Sequence, residues 1–298
     1  MQRREFEWDA EERGKTRIKK GGDMLLGVDV SHWQGEMDWY KCRTAGAKFA
    51  FIRAGSITRD GGVCYVDDQF ERNATLAPDY FPVSFFWYFR PQWDSALQAN
   101  YFADLVSSKR ARLPLVVDVE SDGGLSPESV AGSVVNFIHR LYVRLDTWPM
   151  IYTRSSFWND NVGFDPMWEY LDLFIARYID LPGPWADGLY KPRDWANWVF
   201  WQFSADGNGR GGEFGAQSGS IDLDYFNGDE ASFSIYAGQA PPEMVKVVWP
   251  WAGLRATPEG VKIGYTWRER SFRVLGQSEE WYRVEAWLSK KGVKAIGD

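Results

Sequence analysis

Residues 113–121, Leu113-Pro-Leu-Val-Val-Asp118-Val-Glu120-Ser121, combine a run of apolar and β-branched residues with two carboxylates at its end. The apolar run predicts a strand that is covered on both faces of a sheet. Because side chains alternate along a strand, Asp118 and Glu120 should lie on the same side, with Cα atoms about 6.5 Å apart. The sequence therefore predicts a buried strand with an acidic tip.

Two carboxylates at that distance repel each other, so one should hold its proton at neutral pH while the other stays charged. A proton donor beside an anion is what cleavage of a glycosidic bond requires. An isolated Asp-x-Glu can equally be a polar strand end whose acids cap the next element. The choice between these interpretations depends on the rest of the chain.

Strand-like apolar runs recur from Leu25 to Phe226, separated by stretches long enough for helices. Their number and spacing predict an α/β fold, a (β/α)8-type barrel with irregular later helices. In such a barrel the active site lies at the carboxyl ends of the strands. The eight predicted strands are residues 25–30, 49–53, 83–89, 115–120, 150–152, 173–178, 199–203 and 221–226.

Further acids occur on the first and last of these strands. Asp29 lies near the end of the first strand, and Asp222 and Asp224 share one face of the last, which should close the barrel beside the first. Several carboxylates converging on one rim are typical of an active site. The alternative is structural, with Asp29 and Asp222 only holding the strand ends.

Four motifs follow one another in the order of a known family. They are Gly-Val-Asp-Val-Ser-His-Trp-Gln-Gly at residues 27–35, Pro-Leu-Val-Val-Asp-Val-Glu at 114–120, Trp-Val-Phe-Trp-Gln-Phe-Ser at 198–204 and Ile-Asp-Leu-Asp-Tyr-Phe at 221–226. They resemble the opening motif, the D-x-E strand and the closing W-Q-(Y/F)-S and V-D-L-N-x-F motifs of the family 25 glycoside hydrolases, the Chalaropsis-type lysozymes. The resemblance covers about residues 25–228.

This resemblance implies a peptidoglycan muramidase that hydrolyses the β-1,4 bond between N-acetylmuramic acid and N-acetylglucosamine. It implies retention of configuration with help from the substrate's 2-acetamido group, an exception to the two-carboxylate scheme. Glu120 would be the general acid/base, Asp118 the charged partner that orients the acetamido group, and Asp29 and Asp222 the acids that tune the pair.

Two other functions stay open: a hydrolase of chitin-like polymers, and a non-catalytic glycan-binding protein on a barrel that has lost its activity. The presence of all four acids argues against the second, because binding alone would tolerate amides.

Aromatic residues are unusually frequent, with 17 Trp and an aromatic content of 17%. Flat aromatic faces can stack on sugar rings, although they also serve as core residues. The residues predicted to bind substrate are Tyr88, Tyr152, Tyr178, Trp201 and Asp224.

Composition excludes several other classes. A net charge of −7 argues against a nucleic-acid partner, and no apolar run is long enough to span a membrane. With His32 and His139 as the only histidines, the chain lacks the ligands of a typical zinc hydrolase, so neither a metal nor another cofactor is expected. Cys42 and Cys64 are predicted to be free thiols, and the protein is predicted to be a monomer whose partner is the peptidoglycan glycan strand.

The ends of the chain differ from its middle. Residues 1–24 are predicted to be a disordered or artefactual extension and show no secretory signal, which favours synthesis in the cytoplasm and holin-type release from a phage-infected cell. Export by another route is the alternative. After the catalytic barrel, residues 25–229, we predict a linker at 230–242. Short strand patterns at 243–298 resemble a bacterial SH3-like domain, which would bind the bacterial cell wall or serve only as a structural cap.

Overall fold

The computed structural model of the chain describes residues 24–178 and 191–238 in full, together with the backbone of eight strands between residues 244 and 295. The chain divides into two compact units, and the boundary between them falls between Glu230 and Ala231 in the sequence. Apart from Met24, the predicted N-terminal extension lies outside the described residues.

Nine strands of the first unit form one sheet, and eight of them close into a barrel. Closure comes from the parallel pairing of β1 with β2, while β3 is a short strand that hydrogen-bonds only to β2. All eight predicted runs form strands of this barrel. The strands are β1 (Leu25–Val30), β2 (Ala50–Ile57), β3 (Cys64–Val66), β4 (Val83–Tyr88), β5 (Val116–Asp118), β6 (Met150–Thr153), β7 (Leu173–Ala176), β8 (Phe200–Ser204) and β9 (Asp222–Phe226).

The last strand departs from the predicted (β/α)8 pattern. The other seven barrel strands run parallel, whereas β9 is antiparallel to both β8 and β1. Six glycines occupy the β8–β9 connection, where the only helical element is the 3-10 turn Gly207–Gly209. Without a crossover helix the chain returns in the opposite direction. The predicted strand number is therefore correct, but the direction of the last strand is wrong.

Helices cover the outside of the barrel between its earlier strands. Asp94 caps α3 through the amides of Ala96 and Leu97, and Ser126 caps α4 just before Pro127. In the described residues, no helix combines the length and the apolar character needed to cross a bilayer. The helices are α1 (Trp39–Thr44), α2 (Phe70–Leu76), α3 (Ser95–Val106), α4 (Pro127–Leu145), α5 (Ser155–Asn161) and α6 (Glu230–Tyr236).

Side chains on the two faces of the sheet form separate cores. Inside the barrel, the ring of Phe51 lies 5.0 Å from Phe200 and 4.6 Å from Phe174. Outside it, Trp87 donates its indole N–H to Gln98 of α3 at 3.1 Å, and Phe89 packs against α4. Because neighbouring residues alternate, this places Phe86 and Tyr88 on the inner face of β4, which the sequence leaves undecided.

The second unit is built from short antiparallel strands, as its sequence pattern predicts. A three-stranded sheet has the order β13-β10-β17, and a five-stranded sheet has the order β12-β11-β16-β15-β14. An SH3-like fold for this unit stays a prediction. The predicted linker begins with helix α6, so its first seven residues are structured. The strands are β10 (Met244–Val247), β11 (Trp251–Arg255), β12 (Lys262–Trp267), β13 (Ser271–Arg273), β14 (Gly276–Gln277), β15 (Trp281–Arg283), β16 (Trp287–Ser289) and β17 (Val293–Ala295).

Candidate active site

Four of the predicted acids come together at the end of the barrel where the parallel strands finish. Asp29 lies near the end of β1, Asp118 is the last residue of β5, and Glu120 follows two residues later. Asp222 is the first residue of β9, and it is the direct cross-strand partner of Asp29. The reversed direction of β9 makes this possible, because a parallel strand would carry Asp222 at the opposite end of the barrel.

Asp118 and Glu120 interact directly within the protein. Asp118 is only 6% exposed, and burial raises its pKa well above the ordinary range, with a further rise from the charge of Glu120. Burial also raises the pKa of Glu120, but there a hydrogen bond with Asp118 acts in the opposite direction. Both acids of the pair thus have a raised pKa. The division between a protonated Glu120 and a charged Asp118 stays a prediction.

Two arginines act against the effect of burial and lower the pKa of both acids. The guanidinium Nε of Arg154 lies 3.5 Å from the carboxylate of Glu120 and holds its pKa down. Arg53, on the second strand, lowers the pKa of both acids through its charge. One oxygen of Asp118, Oδ1, is buried without a hydrogen-bond partner.

Gln202, on β8, connects the second pair of acids with the aromatic side of the site. Its amide nitrogen donates to Asp29 at 3.1 Å and to Asp222 at 3.2 Å. Its carbonyl oxygen accepts from the hydroxyls of Tyr152 at 2.7 Å and Tyr178 at 3.0 Å. All the hydrogen-bonding capacity of this buried amide is used within the site, which fixes its orientation.

The pKa values of the second acid pair, Asp29 and Asp222, are also raised. Burial raises the pKa of Asp222 to about 7, with a contribution from the charge of Glu120. Burial and the neighbouring charge of Asp222 raise the pKa of Asp29 well above its ordinary range. Among the described residues, no group of three or more His, Cys, Asp and Glu side chains is arranged to hold a metal ion. Burial and mutual repulsion thus favour the protonated form of these two carboxyl groups.

Asp224 does not belong to the accessible surface of this site. It is completely buried, both of its carboxylate oxygens lack hydrogen-bond partners, and burial raises its pKa well above the ordinary range. It lies two residues after Asp222 on β9 and pairs across the sheet with Gly27 and Gln202. The prediction that Asp224 binds substrate is wrong, because a substrate cannot reach it.

The three predicted tyrosines are brought to the acids, and they differ in exposure. Tyr178 is 48% exposed, Tyr88 is half-buried, and Tyr152 is buried with its ring against Phe174. The pKa of Tyr178 rises to about 12, mainly through burial of its hydroxyl. Tyr88 and Tyr178 therefore offer accessible surface to a sugar, whereas Tyr152 chiefly supports Gln202.

Trp201, predicted for the sugar cleft, lies on the other face of β8. It is fully buried, its indole N–H donates to the backbone oxygen of Arg177 at 2.8 Å, and its ring packs near Trp198. The alternation of the strand is the reason, because Gln202 points into the barrel and its neighbour must point out. The prediction that Trp201 binds substrate is wrong.

Sequence reasoning missed several residues of the site. Gln202 stands in the closing motif, and the period of two could have identified it once its face was known. Arg154 directly follows β6, the strand that carries Tyr152, but nothing in the sequence relates it to Glu120. On the rim, Trp33 follows the strand of Asp29 and is 72% exposed, with its ring 4.4 Å from His32.

A closed barrel with buried carboxyl pairs at its mouth is the arrangement of a glycoside hydrolase. The sequence pattern of Glycosyl hydrolases family 25 matches residues 28–212, and the chain belongs to this family. Lysozyme M1 of Streptomyces globisporus is 32% identical over 218 residues, which cover 70% of this chain and 69% of that protein. The N,O-diacetylmuramidase of a Chalaropsis species is 27% identical over 66% of this chain and 96% of that protein. The crystal structure of a bacterial lysozyme from Streptomyces coelicolor has 28% identity and a TM-score of 0.59, over 73% of this chain and 98% of that chain.

Proposed function

We propose that this chain is a peptidoglycan muramidase that hydrolyses the β-1,4 bond between N-acetylmuramic acid and N-acetylglucosamine. The observation that carries the proposal is the carboxyl pair of buried Asp118 and partly exposed Glu120 at the mouth of a family 25 barrel. The lysozymes and the muramidase named above support the choice of substrate.

Glu120 is the proposed proton donor. It is the more exposed member of the pair, so it is the one that a glycosidic oxygen reaches. Its pKa is raised by burial, which suits an acid that works near neutral pH. In the first step Glu120 protonates the leaving oxygen as the bond from that oxygen to the anomeric carbon breaks.

Asp118 is the proposed partner of the 2-acetamido group. In this proposal its carboxylate accepts a hydrogen bond from the acetamido N–H while the acetamido carbonyl oxygen bonds to the anomeric carbon. That hydrogen bond favours the charged form of Asp118 and leaves the proton of the pair on Glu120. Substrate binding would thereby favour the division of roles that the resemblance implies.

The second step returns the enzyme to its starting state. Glu120, now a carboxylate, takes a proton from water, and the resulting hydroxide attacks the anomeric carbon from the side of the departed sugar. The bond to the acetamido oxygen breaks, and the product retains its configuration. Asp29 and Asp222, both hydrogen-bonded to Gln202, complete the acidic floor of the site and tune the Asp118–Glu120 pair.

Hydrolysis of purified peptidoglycan by the wild type and by Glu120→Gln tests this proposal. After borohydride reduction, the wild type should give reduced muramic acid ends, and Glu120→Gln should lose at least about 100-fold in rate. Glu128→Gln, an exposed carboxylate on α4, is the matched control and should keep full activity. Release of glucosamine ends only, or a Glu120→Gln variant with most of its activity, would refute the proposal.

The same assay on soluble chitin oligosaccharides separates the second candidate. A muramidase should cleave peptidoglycan in clear preference to chitin, whereas equal rates would favour the chitin-like hydrolase.

For the second unit we propose a wall-binding role. Removing residues 240–298 should weaken binding to intact walls and spare cleavage of soluble fragments, and unchanged wall binding would count against that role.

A further inference from the structure

Two arginines flank Tyr88 at the mouth of the barrel. The guanidinium carbon of Arg90 lies 4.8 Å from the centre of the Tyr88 ring, and that of Arg53 lies 5.4 Å from it. Tyr88 is the register partner of Asp118 in the neighbouring strand. The aromatic ring thus holds two positive charges beside the Asp118–Glu120 pair, in the range of a cation–π interaction.

Both guanidinium groups hydrogen-bond to neutral oxygens, and the charge of Arg53 also acts on Asp118 and Glu120. Arg90 donates its Nε–H to the backbone oxygen of Ile57 at 2.9 Å, and Arg53 donates an Nη2–H to the hydroxyl of Tyr65 at 3.1 Å. Within the part of the chain that the structure describes, neither makes an ion pair with a carboxylate, although Arg154 nearby pairs with Glu120. The Nε atom of Arg53 is buried without a hydrogen-bond partner. Within the described residues, the two terminal NH2 groups of Arg90 make no hydrogen bond, so they can bind an anionic group of a ligand.

We propose that Arg90, supported by Arg53 through Tyr88, binds a carboxylate carried by the muramic acid residue of the substrate, an inference that rests on the proposed function. A guanidinium whose Nε is already fixed presents two parallel N–H groups to a carboxylate, the geometry in which arginine binds it most strongly. A chitin-like polymer carries no such group. The subsite would therefore distinguish a charged muramic acid strand from a neutral glucosamine polymer.

Two carboxylates could fill this subsite. One is the lactyl carboxylate of a strand without stem peptides, and the other is a carboxylate of the stem peptide, whose attachment converts the lactyl group into an amide. Three soluble disaccharides separate them: one with a free lactyl group, one with an alanyl-isoglutamate dipeptide, and one with the same dipeptide fully amidated. The third carries no carboxylate and serves as the neutral probe.

Calorimetric titration of the full chain with these disaccharides tests the proposal. Arg90→Gln should weaken binding of at least one charged disaccharide about tenfold and change binding of the amidated one less than twofold. Arg90→Lys, which keeps the charge, should lose less than Arg90→Gln. Arg112→Gln is the matched control, because Arg112 is an exposed arginine whose backbone lies beside Val83, at the opposite end of the barrel.

Equal losses on all three disaccharides, or no loss on any of them, would overturn the proposal. An arginine that acted only through the acid pair would also move the pH profile of hydrolysis, whereas Arg90→Gln should raise KM on charged substrate and leave the profile in place. The proposed function fails separately. If the wild type releases no muramic acid ends but binds the charged disaccharides through Arg90, the subsite stands and muramidase activity does not.

Discussion

Replacing Asp222 by asparagine should stabilise the protein, by an amount that grows as the pH rises from about 4 to about 7. Burial raises the pKa of Asp222 from its ordinary 3.8 to about 7. Between these values the folded protein holds a proton that the unfolded chain has released, so the free energy of unfolding falls as pH rises through this window. An asparagine side chain at this position cannot ionise, and its carbonyl oxygen can still accept the hydrogen bond from Gln202.

The pKa difference sets the size of the effect. The pKa rises by about 3, and each pKa unit is worth about 1.36 kcal/mol, so the effect on the free energy of unfolding is at most about 4 kcal/mol. The gain from Asp222→Asn should therefore grow from near zero at about pH 4 to its full value above about pH 7. Its sign is opposite to that of a carboxylate in a salt bridge, whose replacement destabilises a protein at neutral pH.

Urea denaturation of the full chain at several pH values measures this gain. Circular dichroism at a helical wavelength reports chiefly on the unit that contains α1 to α5. Asp60→Asn, an exposed carboxylate between β2 and β3, is the control and should show no gain that grows with pH. A difference between Asp222→Asn and wild type that stays constant from pH 4 to pH 8 would refute the assignment of a proton-holding role to this acid cluster.

Three further predictions address the rest of the site. Arg154→Gln removes the cation that holds down the pKa of Glu120, so the alkaline limb of the pH–rate profile should move to higher pH; an unmoved limb would contradict this. Gln202→Ala leaves hydroxyl and carboxyl partners unpaired, and should lower the free energy of unfolding by about 3 kcal/mol in thermal or chemical denaturation, while a loss below about 0.5 kcal/mol would be inconsistent with a connecting role. Trp201→Phe removes a buried hydrogen bond, and should lower stability by about 1–2 kcal/mol without changing KM, whereas a raised KM at unchanged stability would place Trp201 in the cleft after all.

Local sequence predicts the strands of the barrel and the position of the acids along them. The apolar runs are clear enough to identify all eight strands, and β1 has the predicted bounds of Leu25 and Val30. The acids at the strand ends follow from the same runs, since a carboxylate that interrupts an apolar strand is costly without a role. Asp29, Asp118 and Glu120 can therefore be placed at one rim from periodicity alone.

The sequence does not determine the direction of a strand, the face on which its side chains lie, or the neighbours that other elements bring to them. The residues of β9 are compatible with either direction, and only its glycine-rich connection to β8 carries a signal for the reversal. Alternation puts Trp201 and Gln202 on opposite faces but does not say which face is inside. The cations at Arg53 and Arg154 reach the acids from other strands, so no local pattern relates them to Glu120.

The reversed last strand also has a consequence for how the protein is made. Asp29 and Gln202 are joined by a hydrogen bond across 173 positions of the sequence, and β9 fills the gap between their strands. Until the ribosome has released β9, both β1 and β8 present an unpaired edge, the kind of surface that invites mispairing with other chains. The final strand of the barrel contributes Asp222 and completes the acid cluster. A polypeptide that ends before this strand has most of the fold but an incomplete active site.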